Sequence, residues 1–130
     1  MGPTTAIQSH KDLRVWGEAM DLAEACYLLS AHFPRDEAYG LTAQARRSAV
    51  SIPANIAEGY GRENKGSYVQ FLKVAQGSLK ELETHLLLGE RIGIVSTEAT
   101  APILERCETI GKMLNGLIRS LQRHAPKGES

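Results

Sequence analysis

The chain has 130 residues, with 15 lysines and arginines against 15 aspartates and glutamates and a formal net charge of zero. That length suits one domain with a sizeable core, and interspersed charges of both signs exclude a global field that would draw the chain onto nucleic acid or an anionic membrane. No apolar run approaches the roughly 18 residues of a membrane span. The start Met1-Gly2-Pro3-Thr4-Thr5-Ala6 lacks the basic and apolar regions of a secretion signal, so a soluble, cytoplasmic protein is expected.

Residues 1–10 lack periodicity and read as a flexible arm. A first helix is expected over about 12–32. It carries two adjacent apolar stripes at helical spacing, one of Trp16, Met20, Ala23, Tyr27 and Ser30, the other of Val15, Ala19, Leu22, Cys26, Leu29 and Phe33. Pro34 stops it, because the residue before a proline is pushed out of the α region. A second helix is expected from near Asp36 to Glu58, with Leu41, Ala45, Ser48, Ile52, Ile56 and Gly59 on its inner face. Pro53 lies within that pattern and removes the donor for the Ala49 carbonyl. The apolar phase continues across it, so one helix kinked at Pro53 is expected rather than two short ones.

Gly59-Tyr60-Gly61 and Gly66 mark a turn. The third helix follows, with Asn64 or Ser67 as its N-cap and Tyr68, Leu72, Ala75, Leu79, Leu82, Leu86 and Gly89 as a four-three seam. Gly93 supplies its stop, and Ser96 or Thr97 the next cap. In the fourth helix Ile103, Cys107, Ile110, Leu114, Leu117 and Leu121 repeat the rhythm. Pro102 is tolerable only near a first turn, which moves the expected start to Ala99 or Thr100. Four helices with short connections predict an all-α, antiparallel up-down-up-down bundle over 11–123, followed by a flexible tail at 124–130.

A bundle helix needs one core stripe, and this chain has more. The first helix has two, Leu86, Leu87 and Leu88 are consecutive, and Leu104, Gly111 and Ile118 flank the last seam. Either the stripes face a thick core or a second copy covers them, and self-association is the expectation. Gly77, beside Ala75 and Ser78, costs about 1 kcal/mol against alanine inside a helix. It is therefore expected to admit a close neighbour.

The densest polar stretch runs from Gln44 to Arg62. Arg47, Ser51, Asn55 and Glu58 step by four, four and three onto one face, and Ser51 or Asn55 can serve carbonyls freed at Pro53. The expected role of Arg47, Asn55, Glu58 and Arg62 is a polar network locking the bend or a subunit contact. The alternative is an anion or RNA-phosphate site on Arg46, Arg47 and Arg62. Lys112, Arg119, Arg123, His124 and Lys127 make a basic C-terminal stretch without an intervening acid. Such side chains suit a helix C-terminus, and clustered in an assembly they could meet nucleic acid.

Catalytic and metal constellations are missing from the pattern. Glu81 and His85 lie one turn apart and Glu105 and Glu108 are at i, i+3, but the Glu-x-x-His repeats of di-iron bundles do not occur. Gly59, Gly61 and Gly66 lack the spacing of a phosphate loop, and no hydrolase serine elbow occurs. Cys26 and Cys107 fall in apolar patterns and read as buried core thiols without metal-ligand spacing. No cofactor and no enzymatic activity are expected.

Several segments match a known pattern: Leu13-Arg14-Val15-Trp16, Phe33-Pro34-x-x-Glu37-x-x-Gly40-Leu41, the run Arg46-Arg47-Ser48-Ala49-Val50-Ser51-Ile52-Pro53-Ala54-Asn55-Ile56-Ala57-Glu58-Gly59, and Gly77-Ser78-x-x-Glu81-Leu82-Glu83. In order over about residues 11–122, the chain resembles a bacterial four-helix-bundle family, some of whose members are encoded in intervening sequences of large-subunit ribosomal RNA genes. More distantly it resembles the accessory protein of diversity-generating retroelements, a pentameric bundle that binds nucleic acid and a reverse transcriptase. The resemblance implies a homo-oligomer of five subunits and no reaction. It marks Arg46, Arg47, Ser51, Asn55, Glu58, Arg62, Ser78, Glu81 and Glu83 as motif positions. The retroelement relatives are strongly basic, whereas this chain is neutral. A scaffold or adaptor is therefore the leading expectation, and a structured-RNA-binding accessory protein the alternative.

Overall fold

The computed structural model describes residues 7–37 and 39–123. Among them the chain is all-α, with no strand: α1 (Arg14–Ser30), α2 (Leu41–Tyr60), α3 (Lys65–Arg91) and α4 (Thr97–Arg123), with 3-10 turns at His10–Asp12 and Arg35–Glu37. The first six residues of the expected arm and all of the expected tail lie outside the described residues.

The helix boundaries differ from the periodicity at identifiable residues. Lys11 and Asp12 belong to the first 3-10 turn, where Ser9 and Asp12 form a reciprocal capping box. The second helix does not begin near Asp36, because Arg35–Glu37 closes its own 3-10 turn and Gly40 follows with φ −105° and ψ −113°. Glu37 then accepts the Leu41 amide at 3.2 Å and serves an orphan donor of α2. Asn64 caps α3 by accepting from the Ser67 amide at 2.8 Å. Among the described residues Gly93 alone has a positive φ, 78°, in the turn out of α3, a conformation that costs a residue with a Cβ.

The fourth helix begins earlier than Ala99. Ser96 accepts from the Ala99 amide at 3.1 Å and caps a helix starting at Thr97, so Pro102 sits in its second turn. Pro102 and Glu98, whose carbonyl loses its donor there, are both exposed to water, which can satisfy that carbonyl.

Each helix packs on its two neighbours in the cycle α1–α2–α3–α4, and among the described residues the diagonal pairs bring no Cα atoms within 8 Å of each other. Opposed positions give the direction. Leu41 lies against Gly89, Ser51 against Ser78 and Gly59 against Phe71, so α2 and α3 run antiparallel. Glu90 meets Thr100, Leu79 meets Gly111 and Gln76 meets Asn115, so α3 and α4 do too.

The core follows the predicted seams, with Leu22, Ile52, Ile56, Leu72, Leu82, Leu86, Ile110 and Leu114 fully buried, whereas Leu117 and Leu121 of the predicted fourth seam and Tyr68 of the third are only partly buried. Burying side chains of this size is worth roughly 1.5–3 kcal/mol each, the main term holding the bundle. On α1 the stripe of Val15, Ala19, Leu22 and Cys26 is the core stripe, while Met20 and Tyr27 of the other stripe stay nearly half exposed. Ile118 faces the core rather than forming surplus surface, and Leu87 and Leu88 remain exposed.

Candidate functional site

The α2–α3 seam is the most extensive helix contact among the described residues, and small residues line it. Ser48, Ala75 and Ser78 are buried along it, and Gly59 lies at its end. A Cβ on Gly59 would stand 2.9 Å from Phe71 Cβ and 3.2 Å from the Tyr68 carbonyl oxygen, so the two backbones can approach only with glycine there. Gly77, by contrast, faces open space, where an added Cβ would meet nothing within 4 Å. Within the subunit the close approach is made at Gly59, and among the described residues nothing fills the room beside Gly77.

On the outer rim of this seam the motif residues form a short polar ladder. Ser51 Oγ and Ser78 Oγ are 2.7 Å apart across the helices. The Asn55 amide donates to Ser51 Oγ at 2.9 Å and to the Ser51 carbonyl at 2.8 Å. It is thus the Ser51 carbonyl, not that of Ala49, that receives a side-chain donor. One turn further on, Arg62 pairs with Glu58 at 2.6 Å and lies over the Phe71 ring, 4.6 Å from its centroid. Arg47 is exposed, and its side chain forms no hydrogen bond or ion pair among the described residues.

The three arginines of the alternative anion site are not brought together. Arg46 turns the other way, onto α1, donating from Nε to Ser30 Oγ at 2.7 Å and from Nη2 to the Tyr27 carbonyl at 3.3 Å, with its guanidinium 4.5 Å above the Tyr27 ring. Arg62 is committed on the α3 side. Glu81 and Glu83 also separate, because two residues are about 200° apart on a helix. Glu81 is exposed on the outside, while Glu83 turns toward α4 and pairs with Lys80 at 3.2 Å.

Between α3 and α4 a cleft of about 760 Å³ opens, with Leu79, Leu104 and Cys107 among its walls and Glu83, Glu108 and Lys112 at its sides. Gly111 leaves room there, opposite Leu79. Gln76 to Asn115 crosses it near one end, and the buried Thr100 hydroxyl donates to Glu90 near the other. Sequence reading missed that last tie, whose partners lie on different helices.

Burial pushes the Cys107 thiol up to about 12, with Glu83 adding to the effect, and the Cys26 thiol up to about 11 against an opposing pull from Arg46. Both are therefore protonated and poor nucleophiles at neutral pH. Burial, reinforced by Tyr60, likewise raises the Tyr68 phenol. Among the described residues no three His, Cys, Asp or Glu side chains are placed to hold a metal ion, and no helix is long and apolar enough to cross a membrane. Lys112, Arg119 and Arg123 are exposed on α4, and Lys127 lies outside the described residues.

Residues 11–116 match the family model described as 23S rRNA-intervening sequence protein. The chain belongs to that family. The match covers α1 to α3 and most of α4, including the whole polar ladder, and stops short of Arg119 and Arg123. Among solved structures the chain is similar to a protein of unknown function from the S23 ribosomal protein family of Bacteroides thetaiotaomicron, at 24% identity and a TM-score of 0.76, covering 81% of this chain and 98% of that one. At that identity the likeness shows the fold alone. No curated protein matches. Neither description of the intervening sequence protein relatives names a reaction.

Proposed function

We propose that the chain is a non-enzymatic, self-associating helical scaffold that presents a ring of bundles to a partner. The observation that carries this reading is a pair of unlike apolar patches on different faces. One joins Met20 and Tyr27, seven residues apart on α1, to Val50, which lies one turn beyond Arg46 where that side chain covers Tyr27. The other lies on α3, where the exposed Val74 stands beside the open space at Gly77 and Leu88 follows three turns on, beyond the exposed Glu81. Two different patches that meet make a head-to-tail contact, and such contacts form a ring when the rotation between copies closes. The count of five comes from the family resemblance.

Light scattering at micromolar concentration in 500 mM salt tests this, with an expected mass near five times the 14.2 kDa chain. Val50→Glu and Leu88→Glu, which damage opposite patches, should each give monomers. Mixed together they should form dimers, since each supplies the patch the other lacks. A monomeric wild type overturns the proposal.

Binding of structured RNA is the second reading. It rests on the exposed Lys112, Arg119 and Arg123, at i, i+7 and i+11 on α4. Phosphate contacts make binding fall steeply with salt. No binding of labelled ribosomal RNA fragments at 50 mM salt would rule it out.

A further inference from the structure

The outer face of α4 carries charge sorted by sign. Glu105, Glu108, Lys112, Gly116, Arg119 and Arg123 follow one another at steps of three or four residues, which is one straight stripe on an α-helix. All five charged side chains are exposed, and among the described residues none of them forms an ion pair or a side-chain hydrogen bond. The helix dipole does not account for the sorting, since its influence fades within the first and last turns. Glu105, Glu108, Lys112 and Arg119 all lie between the two end turns of Thr97–Arg123.

Gly116 is the second observation. A Cβ there would meet nothing within 4 Å, so packing inside the subunit does not require glycine at this mid-helix position. Its cost of about 1 kcal/mol against alanine is unexplained by the lone chain.

We propose that this stripe recognises a second copy of itself, with two α4 helices lying antiparallel about a two-fold axis level with Leu114. In that register Glu108 faces Arg119 and Glu105 faces Arg123 of the other copy, each pair occurring twice, and Lys112 passes over the bare backbone at Gly116. Parallel pairing would set acid on acid and base on base. Self-complementarity of this kind is what a two-fold contact requires. A phosphate backbone fits the stripe less well, because its acidic half repels one. The contact uses a face separate from the apolar patches, so it holds whether or not those form a ring, and it doubles whichever unit they make. Exposed ion pairs are individually weak and screened by salt, so the pairing is salt-labile.

Sedimentation of the full chain at 50 and 500 mM salt tests it. The expected result is a mass that halves at the higher salt. Arg119→Glu or Glu108→Arg should halve it already at 50 mM salt. The double variant Glu108→Arg/Arg119→Glu should restore it, because the swapped charges again oppose across the axis. A wild-type mass that ignores salt, or a double variant that stays at half mass, overturns the proposal. So does an Arg119→Glu chain of unchanged mass that has lost binding to labelled ribosomal RNA. Failure of the apolar ring would appear separately, in an unchanged mass for Val50→Glu.

Discussion

Replacing Arg46 with alanine separates a structural role from a binding role at the most specific stretch of the sequence. The guanidinium donates a charge-assisted hydrogen bond to Ser30 Oγ at 2.7 Å, a longer one to the Tyr27 carbonyl at 3.3 Å, and covers the Tyr27 ring at 4.5 Å. Hydrogen bonds from a charged donor contribute about 1.5–3 kcal/mol, and a partly exposed cation–π contact about 0.5–1 kcal/mol. Freeing the arginine side chain on truncation returns up to about 2 kcal/mol of rotamer entropy. The Ser30 hydroxyl keeps its own bond to the Tyr27 carbonyl, so it is not orphaned. The net loss expected for Arg46→Ala is centred on about 2 kcal/mol, read as a lower urea midpoint with an unchanged slope in helical circular dichroism. Arg46→Lys should recover less than half, because an ammonium cannot reproduce the flat fork over the ring. A double-mutant cycle with Tyr27→Leu should show coupling of about 1 kcal/mol. An Arg46→Ala chain that unfolds at the wild-type midpoint but no longer binds ribosomal RNA would refute the structural assignment.

Asn55→Ala, which removes the donor to Ser51, should lower stability by about 1 kcal/mol, whereas Glu58→Ala, in an exposed pair, should shift the urea midpoint much less. Thr100→Val leaves a Glu90 carboxylate without the hydroxyl that joins α4 to α3, and is expected to cost about 1–3 kcal/mol by the same measurement. Both cysteines should resist a thiol reagent at pH 8 until the chain is unfolded. Their folded pKa values, about 11 for Cys26 and about 12 for Cys107, lie above the ordinary 9.0. Unfolding therefore releases protons above pH 9, and stability should fall from there through pH 11–12. A Cys26→Ala/Cys107→Ala chain whose stability falls as steeply as the wild type across that window would contradict this.

The seams were legible because apolar spacing reports directly on which side of a helix is dry. Leu72, Ala75, Leu79, Leu82 and Leu86 needed nothing more than a period of 3.6 residues. The separation of Glu81 from Glu83 was legible by the same rule, since neighbours two apart cannot share a face. The start of α2 was not, because the apolar pattern does not report that Gly40 breaks the chain and that Glu37 caps the helix from outside it. Nor could spacing show that Arg46 reaches α1 while Arg62 reaches α3, or that Glu90 meets Thr100. Those depend on how helices far apart in sequence come into register. Arg46, Arg47 and Arg62 formed a cluster only in one dimension.

The closeness of α2 and α3 at Gly59, Ser51 and Ser78 also sets an order of events. These two helices share the most extensive contact in the bundle and are joined by the short turn 61–64, while α1 and α4 meet least. Amide protons at the centre of the α2–α3 hairpin should therefore exchange only through global opening, and those of α4 through a cheaper partial release. The bundle has a durable half and a yielding half, and the stripe proposed for self-recognition lies on the yielding one.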